Sequence, residues 1–240
     1  MIFIGIIDPS IGDTSGLVAT HISWCQGYCA ATGDTLQTLV LSRYTTAEDF
    51  LSQLSTILCT SENYKQTIYL YYFCHGIRKD GIDYIKLNQT TYVRDSTLTE
   101  LYYKNNVTYL TVFYECCHSQ GLYEPTDKCF MAKPANLWNV NVAVKGAHSE
   151  LMAYYRNNIT IICCSLETEQ SIAGMMPDQS VHTLVTDILL KLPEAGLNAN
   201  PFLNAPKKVQ EYVNKRLNEL TQGKQNMIIY SPNLLINWFC

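Results

Sequence analysis

The sequence predicts an α/β protein built on a mostly parallel mixed sheet of six or more strands flanked by helices. Three observations carry that expectation. Short apolar runs rich in β-branched and aromatic residues alternate along the chain with longer stretches of helical period. Two of those runs stop at reactive side chains: one ends in Cys74-His75-Gly76, the other in Glu115-Cys116-Cys117. The 240 residues, 47% of them hydrophobic, suffice for one core,. No composition shift marks a boundary, so residues 1–240 are expected to form a single domain.

The elements follow in order. Ile2–Ile7 reads as a first buried strand stopped by Asp8-Pro9. Residues 13–32 read as a helix closing near Gly33, a residue suited to the left-handed cap,. Residues 35–42 are a second strand. Residues 46–58 carry Phe50, Leu51, Leu54, Ile57 and Leu58 at helical spacing behind a Thr45 or Thr46 cap,. Thr67–Phe73 and residues 107–114 are strands, with a short helix over residues 96–104 between them. Residues 159–165 and 226–230 complete the strands, and residues 179–192 and 207–221 the helices. The last helix places Val209, Val213 and Leu217 on one stripe,. Residues 121–147 and 192–206, with prolines and no clear period, are the expected long loops,.

Composition narrows the function. A net charge of −4 gives no reason to expect nucleic-acid binding,. No run reaches the roughly 18 apolar residues of a membrane span. Ile2–Ile7 lacks a basic lead and is too short for a signal-peptide core, which predicts an intracellular, cytoplasmic protein,. Ten cysteines without a signal read as reduced thiols, and Asn88, Asn106 and Asn158 as fortuitous glycosylation sequons,. Cys25 and Cys29, one helical turn apart, are half a zinc site with no second pair of the usual spacing,. They are expected in the core, and His21 and His182 are expected to be structural. His148, at a plausible helix start, shows no partner in the sequence.

The chemistry lies at the two strand ends. In an open α/β sheet, residues just past the carboxyl ends of adjacent parallel strands face one crevice. His75 and Cys117, separated by 42 positions, can meet there as a base and a thiol nucleophile,. A free thiol is only a few per cent ionised at pH 7, so a neighbouring histidine that takes its proton matters. The same histidine can return the proton to a leaving amine. Gly76 and Cys117 would supply backbone N–H donors to the oxyanion, and Gly76 admits close approach because it has no Cβ. Strand alternation turns Cys116 away from Cys117. A cysteine hydrolase is the leading reading.

These residues also resemble a family. Tyr72-Phe73-Cys74-His75-Gly76 resembles the Tyr-Ser-Gly-His-Gly of metacaspases, and Glu115-Cys116-Cys117-His118-Ser119 resembles their Asp-x-Cys-His-Ser-Gly. Thr45-Thr46 ahead of a helix, the run from Ile161 to Gln170-Ser171, and the segment from Gly223 to Pro232 are similar to family segments in the same order. The resemblance implies a caspase-like fold and a single-chain peptidase without a prodomain, with His75 as base and Cys117 as nucleophile. It implies cleavage after arginine or lysine, because Glu115 stands where the family's pocket acid stands. Thr20 replaces a second acid, Leu17 a cysteine, and Phe73 a serine, leaving one charge and a bulkier wall at the substrate site. It also implies calcium activation, with Asp83, Asp95 and Glu124 at the family's acidic positions, although Ser96 replaces a paired acid and Arg94 lies beside it,. A monomer acting on peptides or proteins is expected. The alternatives are a paracaspase-like or legumain-like relative, and a catalytically silent interaction module on the same fold.

Overall fold

The computed structural model describes residues 1–33, 35–41, 46–62, 67–80, 82–88, 91–105, 107, 109–117, 119, 159–166, 168–175 and 177–231. Six strands form the central sheet: β1 (Ile2–Ile7), β2 (Gln37–Leu41), β3 (Thr67–Phe73), β7 (Tyr109–Glu115), β8 (Ile159–Cys163) and β11 (Ile228–Tyr230). They lie in the order β11-β8-β7-β3-β1-β2. All neighbours are parallel except β11, which runs antiparallel to β8 at one edge. The expected mixed, mostly parallel sheet flanked by helices is what the chain forms. The chain steps from β1 to β2 on one side and to β3, β7 and β8 on the other. That reversal opens a crevice at the carboxyl ends of β1 and β3,.

The first helix closes where the sequence predicts, whereas the second runs on to Glu62, past its expected end at Leu58. Helix α1 (Ser15–Thr32) ends on Gly33 at φ 80°, ψ 9°, whose N–H donates to the Cys29 carbonyl,. Helix α2 (Ala47–Glu62) is capped by Thr46, whose hydroxyl accepts from Asp49 N at 3.0 Å,. Its Phe50, Leu54 and Leu58 are fully buried, each removing about 1.5–3 kcal/mol worth of side chain from water,. Helix α3 (Asp95–Lys104) packs against α2. Helix α5 (Pro206–Thr221) buries Val209, Val213 and Leu217 as its pattern predicts.

Two regions depart from expectation. Past β3 the chain does not enter a loop but builds a three-stranded antiparallel sheet of β4 (His75–Lys79), β5 (Ile82–Lys86) and β6 (Tyr92–Arg94). Its short alternation, buried Asp83, Ile85 and Leu87 between half-exposed neighbours, is too brief to stand out among charged residues,. Residues 179–192, expected as one helix, open as strand β10 (Val181–Thr183), paired antiparallel to β9 (Ala173–Met175). Only Leu184–Leu189 is helical, as α4. The β-branched Val181 and Thr183 favour the strand. Thr183 also caps α4, its hydroxyl accepting from Thr186 N at 3.2 Å,.

Two cores result, one on each face of the sheet. Ile4, Ile6, Leu70, Tyr72, Val112 and Tyr114 pack with α2, α3 and the small sheet. Phe3, Tyr69, Tyr71, Phe113 and Ile162 pack with α1, α4 and α5. Cys25 and Cys29 are buried free thiols of the second core, and Cys29 donates to Met1 Sδ at 3.6 Å.

Candidate active site

The register of β3 against β7 builds the site. Phe73 pairs with Glu115 as the last rung of that ladder, and Cys74-His75-Gly76 and Cys116-Cys117 follow directly after it. Alternation sorts them. Cys74 and Cys116 fall on the α2–α3 face, 4% and 2% exposed. Their thiols hydrogen-bond each other, and that contact together with burial pushes the Cys116 thiol well above its usual range. A thiol held protonated and enclosed is a poor nucleophile. Cys117 is half-buried and His75 is exposed, at the edge where the crevice opens. The Cys117 Sγ meets the Ser171 carbonyl oxygen at 3.9 Å.

Gly76 shows how closely the two motifs pack. A Cβ added there would collide with the Cys117 carbonyl oxygen and lie 3.2 Å from the Cys117 nitrogen. The glycine after the histidine is therefore required by the backbone of the cysteine turn. His75-Gly76 and Cys117 form one cluster, and both expected oxyanion donors belong to it.

Below the thiol the turn is stitched to β8 by two buried serines. Ser119 Oγ donates to the Ser165 carbonyl at 3.1 Å and accepts from Ser165 N at 2.9 Å. Ser165 Oγ donates to the Cys116 carbonyl at 3.0 Å and accepts from Ser119 N at 3.2 Å. Gln225 extends the bracing. It donates to the Cys164 carbonyl at 2.7 Å and accepts from Ile172 N at 3.1 Å, beside Ser171.

Glu115, expected at the first substrate pocket, is 2% exposed. One carboxylate oxygen accepts from Thr183 Oγ1, and from Thr186 Oγ1 at 2.8 Å; the other accepts from Tyr71 OH. His21 Nε2 lies 4.0 Å away. The imidazole is fully enclosed, stacked on Tyr71 and bonded through Nδ1 to Tyr69 OH at 2.8 Å. Burial pushes its pKa down to about 3, so the ring is neutral and the contact is not an ion pair. Burial raises the Glu115 pKa, and the three hydroxyl donors oppose that rise. Phe73, expected as a bulky pocket wall, is 3% exposed and stacks on Tyr71 at 6.3 Å. Leu17 is buried in the same core, whereas Thr20 bonds back to the Gly16 carbonyl on the outer side of α1. His182 pairs through Nδ1 with Asp187 at 3.1 Å.

Of the expected calcium set, Asp83 is buried on β5 and lies 3.7 Å from the Arg78 guanidinium. Asp95 opens α3, with its side chain outside the described residues, and Glu124 and His148 lie outside them altogether. Among the described residues no group of three or more His, Cys, Asp or Glu side chains could hold a metal ion. A calcium ion needs several oxygens from different loops, and the Arg78 guanidinium beside Asp83 competes for that carboxylate,.

Sequence reasoning missed Ser171, Thr183, Thr186 and the Ser119–Ser165 pair. A Thr-x-x-Thr spacing at a helix start was visible at Thr183, but its carboxylate partner lies 68 residues earlier. No local pattern announces that pairing.

No family model matches the chain, and no curated protein matches its sequence. Solved structures do match its fold. A Geobacter sulfurreducens protein solved as a structural-genomics target aligns over 99% of this chain and 96% of its own, with a TM-score of 0.55 at 13% identity. Caspase-1 from Spodoptera frugiperda aligns over 98% of this chain and 87% of its own, with a TM-score of 0.50 at 10% identity. No helix among the described residues is long and apolar enough to cross a membrane. With its six-stranded sheet, flanking helices and this likeness to a caspase, the chain has a caspase-like α/β fold.

Proposed function

We propose that the protein is a cysteine peptidase of the caspase clan, with Cys117 as nucleophile and His75 as general base and acid. The observation that carries the reading is the packing of Gly76, directly after His75, against the Cys117 backbone past adjacent strand ends, with Cys117 half-buried and Cys116 enclosed. In this reading His75 takes the thiol proton and the thiolate attacks the carbonyl carbon. The tetrahedral oxyanion is met by N–H donors of the Gly76–Cys117 cluster. Collapse gives an S-acyl enzyme while His75 returns the proton to the departing amine. Water, deprotonated by His75, then releases the acid.

The resemblance to metacaspases adds a preference for cleavage after arginine or lysine. Calcium is no part of this reading, because Asp83 lies against the Arg78 guanidinium. The test is hydrolysis of a peptide panel with Arg, Lys, Gln, Ala or Asp at the cleaved position, run beside labelling of Cys117 by a peptidyl chloromethylketone. Turnover lost in Cys117→Ala, with retained turnover in Cys116→Ala, supports the assignment. A wild-type protein that neither cleaves the panel nor labels selectively at Cys117 would leave the silent interaction module as the better reading.

A further inference from the structure

Resting on that peptidase reading, we propose that Glu115 is a positioning residue, which locks the thiol turn to the β9–β10 hairpin, and not the residue that reads the substrate side chain. Its carboxylate joins three elements besides its own strand: Tyr71 on β3, Thr183 on β10 and Thr186 on α4. A carboxylate offers about four acceptor positions. Three here are filled by buried hydroxyls, with the enclosed His21 ring alongside. A substrate guanidinium would have to displace those hydroxyls and leave them buried without partners, a cost of the same order as the pairing it gains.

The placement gives the network something to hold. Thr183 Oγ1 donates to Glu115 and accepts from Thr186 N, so both of its roles are used and its rotamer is fixed. Thr183 pairs across the hairpin with Ala173, and Leu184 N donates to the Ile172 carbonyl at 3.0 Å. The next residue back is Ser171, whose carbonyl faces the Cys117 thiol. Glu115 therefore acts on the thiol from two sides. Along β7 it sits two residues before Cys117. Through Thr183 and the β9–β10 ladder it sets the position of Ser171. A displacement of about 1 Å at a reacting group can cost a hundredfold in rate.

The experiment separates reading from positioning. Glu115→Gln keeps the shape but offers one acceptor oxygen and a donor where two oxygens accepted. Thr183→Val keeps the acid and removes one anchor, and Thr183→Ser restores the hydroxyl. We expect Glu115→Gln and Thr183→Val each to lower kcat by about ten- to a hundredfold for every cleavable panel peptide. KM and the Arg-to-Ala preference should hold, the double variant should be no worse than the stronger single one, and Thr183→Ser should recover most of the rate. Loss confined to arginyl and lysyl peptides in Glu115→Gln, with Thr183→Val unaffected, would overturn the proposal. A substrate-free readout, the pH–rate profile of Cys117 alkylation by iodoacetamide, runs in parallel. It should change in Thr183→Val and return in Thr183→Ser, and an unchanged profile would overturn the proposal. If the wild type cleaves no peptide, the peptidase reading fails and the alkylation profile alone decides the positioning role. If Glu115→Gln does not fold, the two Thr183 variants carry the test.

Discussion

On the face of the sheet beneath α2 and α3 the core is mainly aliphatic and aromatic; its polar groups include the paired Tyr72 and Tyr102 hydroxyls at 2.8 Å, the Asn105 carboxamide bonded to Ser55 and Cys59 of α2, and the Cys74–Cys116 thiols. On the opposite face, beneath α1 and α4, the same strands bury a carboxylate, an imidazole and two more tyrosine hydroxyls. The two faces differ by one residue of strand register. Tyr71, Phe73 and Glu115 point one way; Tyr72, Cys74, Tyr114 and Cys116 point the other. The face that continues into His75 and Cys117 is also the one that carries the buried polar network. Apolar packing tolerates small shifts, whereas a hydroxyl–carboxylate network has discrete partners and fixes geometry. The rigid scaffold thus lies on one side, and the geometry-setting bonds lie directly under the proposed nucleophile.

The largest effect should come from the site itself. Cys117→Ala should abolish turnover, and His75→Ala should reduce it by about 10²–10⁴-fold, as measured on the best panel peptide with folding checked by circular dichroism. Activity surviving in Cys117→Ala but lost in Cys116→Ala would transfer the nucleophile to the other face and break the comparison. Gly76→Ala comes next. Its Cβ has no room against the Cys117 backbone, so the turn must move. We expect about 1–3 kcal/mol of lost stability in denaturant unfolding, together with slower labelling of Cys117. Labelling at the wild-type rate would show that the two strand ends tolerate separation.

Ser165→Ala removes the hydroxyl that braces Cys116 and Ser119 and should cost about 1–3 kcal/mol. Loss of a similar-sized apolar group on the other face, as in Val93→Ala, should leave Cys117 labelling untouched while also lowering stability. The contrast between those two variants measures whether polar bracing sets the site.

The pH dependence sharpens the comparison further. His21 is neutral when folded, with its pKa near 3, but titrates near 6.5 in the unfolded chain,. Between those values the unfolded state holds the extra proton, so His21 contributes stability that is complete above 6.5 and is lost as pH falls. Glu115 acts in the opposite sense. Its raised folded pKa makes the folded state hold the proton longer, so its contribution declines as pH rises above the unfolded value of 4.5,. Between pH 6.5 and 5, His21→Phe should remove up to about 1.4 kcal/mol per pH unit of slope, read from urea midpoints. An unchanged slope would mean that the ring is charged when folded. The smallest expected effect is that of calcium: because Asp83 faces Arg78, excess chelator should leave peptide hydrolysis within about twofold. A tenfold rise at millimolar calcium would show that Asp83 leaves its arginine.

The sequence alone determined the fold class, because strand and helix are encoded locally, in β-branched runs and in the spacing of Phe50, Leu54 and Leu58. It also placed His75 and Cys117 just past two neighbouring parallel strands, because both motifs close buried runs of equal length that end level at Phe73 and Glu115. The alternation of Cys116 and Cys117 was legible for the same reason, a period of two along one strand. Tertiary structure decided what surrounds Glu115. Whether an acid at a strand end faces a substrate or the core depends on which hydroxyls arrive from elsewhere, and Thr183 arrives from 68 residues away on a hairpin whose three-residue strands are too short to show a period. The commitment of Asp83 was likewise hidden, since Arg78 faces it only through the β4–β5 register. Local propensity reaches across a few residues, and a buried carboxylate is satisfied by whatever the folded chain brings to it.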